Sequence, residues 1–142
     1  MRVLGIDHGD KRVGLAVTDL LRITAQAIGF YELKNKKEDL DYFKSLVAEY
    51  QIKEIVVGLP LMMDGTKGTQ AQKAEEFGEW LRRSLDLPVA FWVERLTTRQ
   101  AFSILREQNI KHKSGKKYKD QLSASIMLSS YLEHKRSESH EA

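Results

Sequence analysis

Three acidic residues that are far apart in the chain stand where predicted secondary structure begins or ends. Asp7 closes the first apolar run, Glu94 follows the last predicted strand, and Asp120 begins the final predicted helix. In an open α/β sheet, ligands collect beyond the carboxyl ends of the strands. Carboxylates that converge there repel one another unless a cation neutralises them, and Mg²⁺ and Mn²⁺ prefer such oxygen ligands. The three residues are therefore candidate metal ligands and candidate catalytic residues.

Each carboxylate also has an ordinary structural interpretation. Asp7 could be a turn residue, and Asp120 could stabilise the N-terminus of a helix. Glu94 could form a surface ion pair with Arg95 or Arg99. The functional interpretation depends on the convergence of all three acids at one edge of the sheet.

Basic residues near these acids are candidate contacts to phosphate groups. Lys11 and Arg12 lie in the turn after Asp7, and Arg95 directly follows Glu94. Such residues would position a nucleic acid strand through its backbone without reading its sequence. For Lys11 and Arg12, a surface salt bridge is the alternative.

A longer basic segment, Lys111–Lys119, contains five lysines, a glycine and no acidic residue. Its composition predicts a loop that binds phosphate backbones with release of counterions. Lys113, Lys116 and Lys117 are its candidate contacts. The alternative is a solvated loop without a ligand, and the net charge of +3 does not decide between them, because many soluble proteins are mildly basic.

The composition excludes several classes of protein. The 142 residues are 42% hydrophobic and 30% charged, which is typical of one globular domain and excludes a disordered or collagen-like chain. No apolar run approaches the roughly 20 residues of a membrane helix. The absence of cysteine excludes disulfides, thiol catalysis and cysteine-bound metals. We expect a cytoplasmic protein without a membrane partner, with one domain over residues 1–134 and a polar tail over residues 135–142.

Hydrophobic periodicity predicts the elements that position these residues. Strands are predicted at about Met1–Asp7, Arg12–Thr18, Thr24–Leu33, Glu54–Gly58 and Val89–Val93. Helices are predicted at about Glu38–Tyr50, Thr69–Leu85, from Thr97 onward and Lys119–His134, with capping boxes at Thr69/Gln72 and Thr97/Gln100. Three antiparallel strands followed by βαβαβ crossovers predict an α/β fold of the ribonuclease-H type. Its mixed five-stranded sheet has helices on both faces.

Four ordered motifs extend over almost the whole chain. They are Gly5–Asp19; Ile55–Leu61 with Met63–Thr66 and Gly68; Glu94–Thr98 with Ala101; and Asp120, Ala124, Leu128 and Ser130–Leu132. In residue types and spacing these motifs resemble the YqgF (RuvX) family of bacterial ribonuclease-H-like proteins. The resemblance implies a ribonuclease-H-like nuclease fold, a nucleic acid as partner and a divalent metal as cofactor.

The resemblance also implies roles for the three acids. Asp7, Glu94 and Asp120 match the acidic positions of the family, where they would be the metal ligands and the catalytic residues. The implied mechanism is hydrolysis of a phosphodiester bond with two Mg²⁺ or Mn²⁺ ions roughly 3.5–4 Å apart. Members are assigned to maturation of the 5′ end of pre-16S rRNA, which is the function predicted for this chain. Resolution of Holliday junctions in branched DNA is the alternative, and both a monomer and a homodimer remain open.

Two departures from the family pattern bear on the site. Val93 stands where the family usually has an aspartate before the glutamate, and Met62 stands where it usually has an asparagine. The missing acid next to Glu94 keeps a non-catalytic RNA-binding role open. A phosphotransferase similar to the actin-like sugar kinases is a further alternative, but those enzymes close two such domains around a nucleotide and this chain supplies one.

Overall fold

One mixed sheet of five strands forms the centre of the fold, and its middle strand carries Asp7. The computed structural model describes residues 1–60, 68–93 and 115–141, with the backbone alone for residues 115–122 and 138–141. The strands are β1 (Arg2–His8), β2 (Arg12–Thr18), β3 (Ala25–Glu32), β4 (Ile52–Leu59) and β5 (Val89–Val93). The helices are α1 (Lys36–Tyr50), α2 (Thr69–Leu85) and α3 (Gly115–Glu141). The strand order is β3-β2-β1-β4-β5, with β1 antiparallel to β2 and parallel to β4.

Helices cover both faces of this sheet, as predicted. Helix α3 packs on one face, and helices α1 and α2 pack on the other. We call these the α3 face and the α1/α2 face. The fully buried run of Ile55, Val56 and Val57 in β4 is typical of a strand that has no solvated face. Within the described ranges, no helix is long and apolar enough to span a membrane.

Successive side chains of β1 alternate between the two faces. Val3 packs with Leu128 under α3, whereas Leu4 and Ile6 belong to the core under α1 and α2. Because side chains in a strand alternate with a period of two, Asp7 belongs to the α3 face.

Helix α3 approaches the middle strand closely because residue 5 is a glycine. A Cβ atom at Gly5 would lie 3.0 Å from the Cβ atom of Leu128, which is tighter than an ordinary van der Waals contact. Leu128 is fully buried at this contact. The absence of a side chain at Gly5 therefore sets the distance between α3 and β1.

Contacts of the C-terminal half of α3 fix the direction of the helix. The hydroxyl of Tyr131 donates a hydrogen bond of 2.6 Å to Glu54, which lies opposite Val3 near the start of β1. Further along, the guanidinium of Arg136 donates to the backbone carbonyl of Ile23 over 3.1 Å. Ile23 lies in the β2–β3 loop, at the edge of the sheet where β1 begins. Helix α3 therefore runs antiparallel to β1.

The first turns of α3 consequently lie toward the opposite edge, where the parallel strands β1, β4 and β5 all end. We call this the carboxyl edge. Asp120 precedes Leu128 by eight residues, which is about 12 Å along a helix axis. Residue 120 therefore belongs to the end of α3 that faces the carboxyl edge, on the same face of the sheet as Asp7.

The final helix is longer than predicted at both ends. It begins at Gly115 rather than near Lys119, so the predicted basic loop is helical from residue 115 onward; residues 111–114 lie outside the described residues. Lysine has a high helix propensity, and extending a helix that is already packed costs little. The helix also continues past His134 to Glu141, beyond the anchor at Arg136.

The start of α2 differs from the prediction in its cap. Gly68 is the N-cap, its backbone is extended, and no side chain caps the helix. The backbone N–H of Gln72 bonds to the carbonyl of Gly68 over 3.2 Å. Thr69 is the first helical residue, so the predicted Thr69/Gln72 capping box is wrong. The helix predicted from Thr97, with its own capping box, lies outside the described residues.

The contact between Gly5 and Leu128 yields a stability prediction. Gly5→Val should lower the free energy of unfolding by about 1–3 kcal/mol, because the added methyl groups overpack the helix–strand contact. Urea denaturation measures the loss. The same substitution should cost less in a Leu128→Ala background, where the space is partly vacated. Equal costs in the two backgrounds would show that this contact does not limit the approach of α3.

Candidate active site

Asp7 lies in a row of residues that crosses all five strands on the α3 face. Gly14 of β2 is directly opposite Asp7, and Phe30 of β3 is opposite Gly14. On the other side, Ile6 is opposite Val57 of β4, and continuing this parallel register by one residue brings Gly58 beside Asp7; Trp92 of β5 is opposite Gly58. We call these five residues the Asp7 row.

The two glycines of the Asp7 row flank the carboxylate without contributing side chains. Neighbouring strands are about 4.8 Å apart, so Gly14 and Gly58 adjoin Asp7 while the aromatic residues stand about 10 Å away on either side. A glycine inside a strand weakens it and often marks a place where a ligand comes close to the backbone. Asp7 itself is half-buried. The row is therefore suited to a metal ion or a phosphate oxygen beside this carboxylate.

Helix α3 fixes the aromatic residue on the β5 side of the row. The indole of Trp92 packs edge-on against Tyr131, with ring centroids 5.8 Å apart, and lies 5.0 Å from the ring of His134. The indole Nε1 atom is buried and has no hydrogen-bond partner. The Trp92 side chain is therefore held by packing against α3 and closes this end of the row.

Two of the predicted basic residues stand at the other end of the row. Arg12 is the first residue of β2, and its guanidinium carbon lies 5.6 Å from the centroid of the Phe30 ring. This distance is within the range of a cation–π interaction. Lys11 precedes Arg12 and is exposed. Both residues therefore belong to the turn and strand that directly follow β1, and their contact with phosphate stays a prediction.

The turn between β1 and β2 is tied to helix α2. The N–H of Gly9 donates to the carbonyl of Arg12 over 2.9 Å, and a Cβ atom at position 9 would lie 2.7 Å from that oxygen, so the turn requires a glycine. The carboxylate of Asp10 accepts hydrogen bonds from Gln70 at 2.8 Å and from Lys73 at 3.0 Å. These two bonds hold the pKa of the Asp10 carboxyl below its usual value. They also fix the turn that follows Asp7.

His8, although next to Asp7 in sequence, belongs to the opposite face. Its ring centroid lies 4.8 Å from that of Phe77 in α2. Burial lowers the pKa of its imidazole, and its Nδ1 atom is buried without a hydrogen-bond partner. His8 is therefore a packing residue under α2 and does not share the face of the carboxylate.

The remaining predicted site residues are described only in part. The structure gives the backbone position of Asp120, Lys116 and Lys117, all near the start of α3. Glu94, Arg95 and Lys113 lie outside the described residues. Among the side chains that the structure does describe, no three His, Asp or Glu residues gather as metal ligands. The convergence of Asp7, Glu94 and Asp120 stays a prediction.

The departure from the family pattern at Val93 falls on the face away from Asp7. Val93 is the last residue of β5 and pairs with Leu59, which belongs to the core under α1 and α2. Trp92, its neighbour, belongs to the Asp7 row, so alternation sends Val93 to the α1/α2 face. Its side chain is 47% exposed. An aspartate at this position would therefore not join the face of Asp7.

Comparison with known proteins shows the family of this chain. A sequence model described as "RuvX: Holliday junction resolvase" matches residues 1–134. The chain belongs to the RuvX family. A relative from Halothermothrix orenii is 42% identical over 132 residues, covering 93% of this chain and 94% of the relative. One from Clostridium novyi is 43% identical over 133 residues, covering 94% and 98%. Both bear the name "Putative pre-16S rRNA nuclease".

Solved structures show the same fold at low sequence identity. The yeast mitochondrial Holliday junction resolvase Ydc2 superposes with a TM-score of 0.57 at 11% identity, covering 92% of this chain and 77% of Ydc2. RuvC of T. thermophilus, in complex with a Holliday junction substrate, gives 0.53 at 15% identity, covering 89% and 92%. The predicted family, the predicted ribonuclease-H-like fold and the prediction of a phosphodiester-cleaving nuclease are confirmed.

Two features of this RuvX-family site had no usable signal in the sequence. Asp10 accepts hydrogen bonds from Gln70 and Lys73, which follow it by 60 and 63 positions in the sequence. The residues next to Asp10 give no indication of these partners. The alignment of Gly14 and Gly58 beside Asp7 depends on strand register, which periodicity alone does not give. Both glycines lie inside the motifs that indicated the family. The motifs therefore contain these residues but do not show that they flank Asp7.

The tie between Asp10 and α2 leads to a prediction about local motion. Asp10→Ala should speed hydrogen exchange at the Gly9 amide by up to roughly fivefold while leaving the global unfolding midpoint nearly unchanged, because the lost bonds are exposed. Exchange measured by NMR tests this, with the buried Leu4 amide as the internal control and Lys73→Ala as the matched variant. Faster exchange at Leu4 as well would mean that Asp10 supports the whole sheet.

Proposed function

We propose that this chain is a metal-dependent nuclease that matures the 5′ end of pre-16S rRNA, with Asp7, Glu94 and Asp120 as its metal ligands. The observation that carries the proposal is the position of Asp7. It lies at the end of the middle strand, between two glycines, on the face and at the edge toward which the first turns of α3 point.

The other two carboxylates belong to segments that end or begin at the same edge. Glu94 directly follows β5, which runs parallel to β4 and through it to β1. Asp120 lies in the part of α3 that faces this edge. Oxygen ligands from such positions fit Mg²⁺ or Mn²⁺. When bound, one or two such ions would activate a water molecule and stabilise charge on the phosphate.

Asp7 would be the most rigid of the three ligands. Asp7 pairs with Gly14 of β2, and the preceding Ile6 pairs with Val57 of β4, so the strand that carries Asp7 is held from both directions. A carboxylate held in this way keeps its geometry when a charged substrate arrives. Its task is to orient the reacting phosphate against the attacking water.

Basic residues would hold the nucleic acid on either side of the bond that is cleaved. Lys11 and Arg12 follow Asp7, and Lys116 and Lys117 stand in the first turn of α3, which contains no acidic residue. Positive charge at a helix N-terminus opposes the helix dipole, so the fold gains no stability from these lysines. Together with the dipole they attract an anion, which supports a role in binding phosphates. Arg95 and Lys113 complete the proposed set.

Val93 does not argue for a non-catalytic protein. The residue departs from the family pattern on the α1/α2 face, so the carboxylates proposed to bind metal are all retained. For the same reason we favour hydrolysis over a binding role alone.

The choice of pre-16S rRNA over a four-way junction rests on the relatives of this chain. Relatives at 42% and 43% identity are named for the rRNA precursor. A junction resolvase has to place two active sites on opposed strands, which calls for a two-fold dimer. Cleavage of a pre-16S 5′ segment and of a four-way DNA junction by one preparation, followed side by side, distinguishes the two.

Asp7→Asn should abolish cleavage and leave substrate binding within about twofold, because it removes a metal ligand and keeps the basic residues. Single-turnover cleavage with Mg²⁺ or Mn²⁺ and a filter-binding assay measure the two properties. Chelation of the metal with EDTA should abolish wild-type cleavage in the same way. Unchanged cleavage by the variant would refute the proposed site, and loss of both properties would point to a damaged fold.

Replacing Lys113, Lys116 and Lys117 with alanine should weaken binding to all sequences and flatten its salt dependence. Each lost phosphate contact should reduce the slope of log affinity against log salt by roughly 0.7 for a single strand and 0.9 for a duplex. The matched control replaces the exposed Lys44, Lys53 and Arg83, which lie away from the carboxyl edge. Equal slopes for the two triple variants would show that these lysines contribute only to the net charge and do not contact phosphates.

A further inference from the structure

Strand β3 contains a bulge that changes which side chains face the site. Ala27 is opposite Ala16 of β2, but Gly29 is opposite Leu15, the preceding residue of β2. Ile28 is therefore the extra residue, and the alternation of β3 shifts by one from this point. Bulges of this kind occur next to active sites, where they redirect a side chain.

The shift moves Phe30 onto the face of Asp7. In the observed register Phe30 is opposite Gly14, and Tyr31 is opposite Val13. Without the extra residue, Phe30 would be opposite Val13 and would belong to the α1/α2 face. The bulge is thus the reason why the Asp7 row ends in an aromatic residue on this side.

Two features hold the bulge in place. Gly29 has a φ of +132°, a conformation that other residues adopt only with strain, and the space around its missing Cβ is open. The constraint at Gly29 is therefore on the backbone and not on packing. After the bulge, Tyr31 stacks on Tyr42 at 3.9 Å and donates a hydrogen bond of 2.8 Å to Asp39. Phe30 lies between these fixed points.

Phe30 contacts one of the basic residues of the proposed function. The guanidinium of Arg12 lies over its ring at 5.6 Å, and Phe30 stands about 10 Å from Asp7 across two strand spacings. A guanidinium stacked on an aromatic ring loses less conformational freedom when it binds a phosphate than one on a free side chain. The ring thus restricts the Arg12 guanidinium before a phosphate binds.

We propose that Phe30 is a positioning residue, which the β3 bulge brings to the face of Asp7 so that its ring holds the Arg12 guanidinium against a phosphate next to the cleaved bond. This inference rests on the proposed function and identifies the aromatic support of its phosphate contact. Phe30 acts through Arg12 and takes no part in the chemistry.

The test is a double-mutant cycle on substrate affinity. Phe30→Leu should weaken binding of the pre-16S segment about two- to fivefold, the range expected for an exposed cation–π pair, and should reduce the salt slope. Phe30→Tyr, which keeps a ring, should restore both. In an Arg12→Ala background, Phe30→Leu should have no further effect. Because Phe30 acts through Arg12 on binding, Phe30→Leu should change affinity more than it changes the single-turnover rate at saturating substrate.

Arg22→Asn is the matched control for the loss of an arginine charge. Arg22 is exposed in the β2–β3 loop at the far edge of the sheet, with a φ of 58° that asparagine tolerates. Its removal should leave affinity and salt slope at the wild-type values.

The outcomes separate this inference from the function on which it rests. Equal weakening by Phe30→Leu with and without Arg12 would overturn the positioning role, as would failure of Phe30→Tyr to restore binding. If that happens while Asp7→Asn is inactive, only this inference falls. If Asp7→Asn cleaves normally, the proposed function falls first.

Discussion

The contact between α3 and β1 at Gly5 decides where the candidate site residues stand. Because residue 5 has no side chain, Leu128 lies directly over the middle strand. Tyr131 and Arg136 then hold the later turns of α3 at the edge where β1 begins. A helix transmits this direction along its whole length, so its first turns must face the carboxyl edge. If α3 packed in the reverse direction, the same apolar residues would bury a similar core. Asp120 would then lie at the edge opposite the carboxyl edge.

The site combines a fixed part and an adaptable part, and the two are supported differently. Asp7 is half-buried near the end of the middle strand, which pairs with β2 on one side and β4 on the other. Arg12 and Lys11 stand at the turn, which is tied to α2 through the exposed bonds of Asp10. Positioning for chemistry tolerates errors of about half an ångström, whereas contacts to a phosphate backbone tolerate more. The carboxylate that would take part in the chemistry is accordingly on a rigid strand, and the residues that would contact phosphates are on a turn.

Local periodicity was enough to predict the strands, the sheet and the carboxyl edge, since the alternation of β1 and the apolar run of β4 are both properties of neighbouring residues. It failed where distant contacts decide. The start of α3 at Gly115 depends on packing further along the helix. The β3 bulge depends on Tyr31 reaching Asp39. The capping box at Thr69 failed for a local reason instead, because Gly68 precedes it and takes the cap.

Several choices near the carboxyl edge cost this fold stability, and that observation is independent of any resemblance. Gly14 and Gly58 weaken the strands that contain them. Lys116 and Lys117 oppose the dipole of α3. Gly29 fixes a backbone conformation that the sheet itself does not need. The opposite edge also holds positive φ angles, but Gln51 and Asp86 are left-handed C-caps of α1 and α2 and Arg22 lies in a loop, where such a conformation ends or turns an element. The glycines beside Asp7 and the lysines at the start of α3 do not end or turn an element, so they favour the carboxyl edge as the part of the molecule shaped by a ligand.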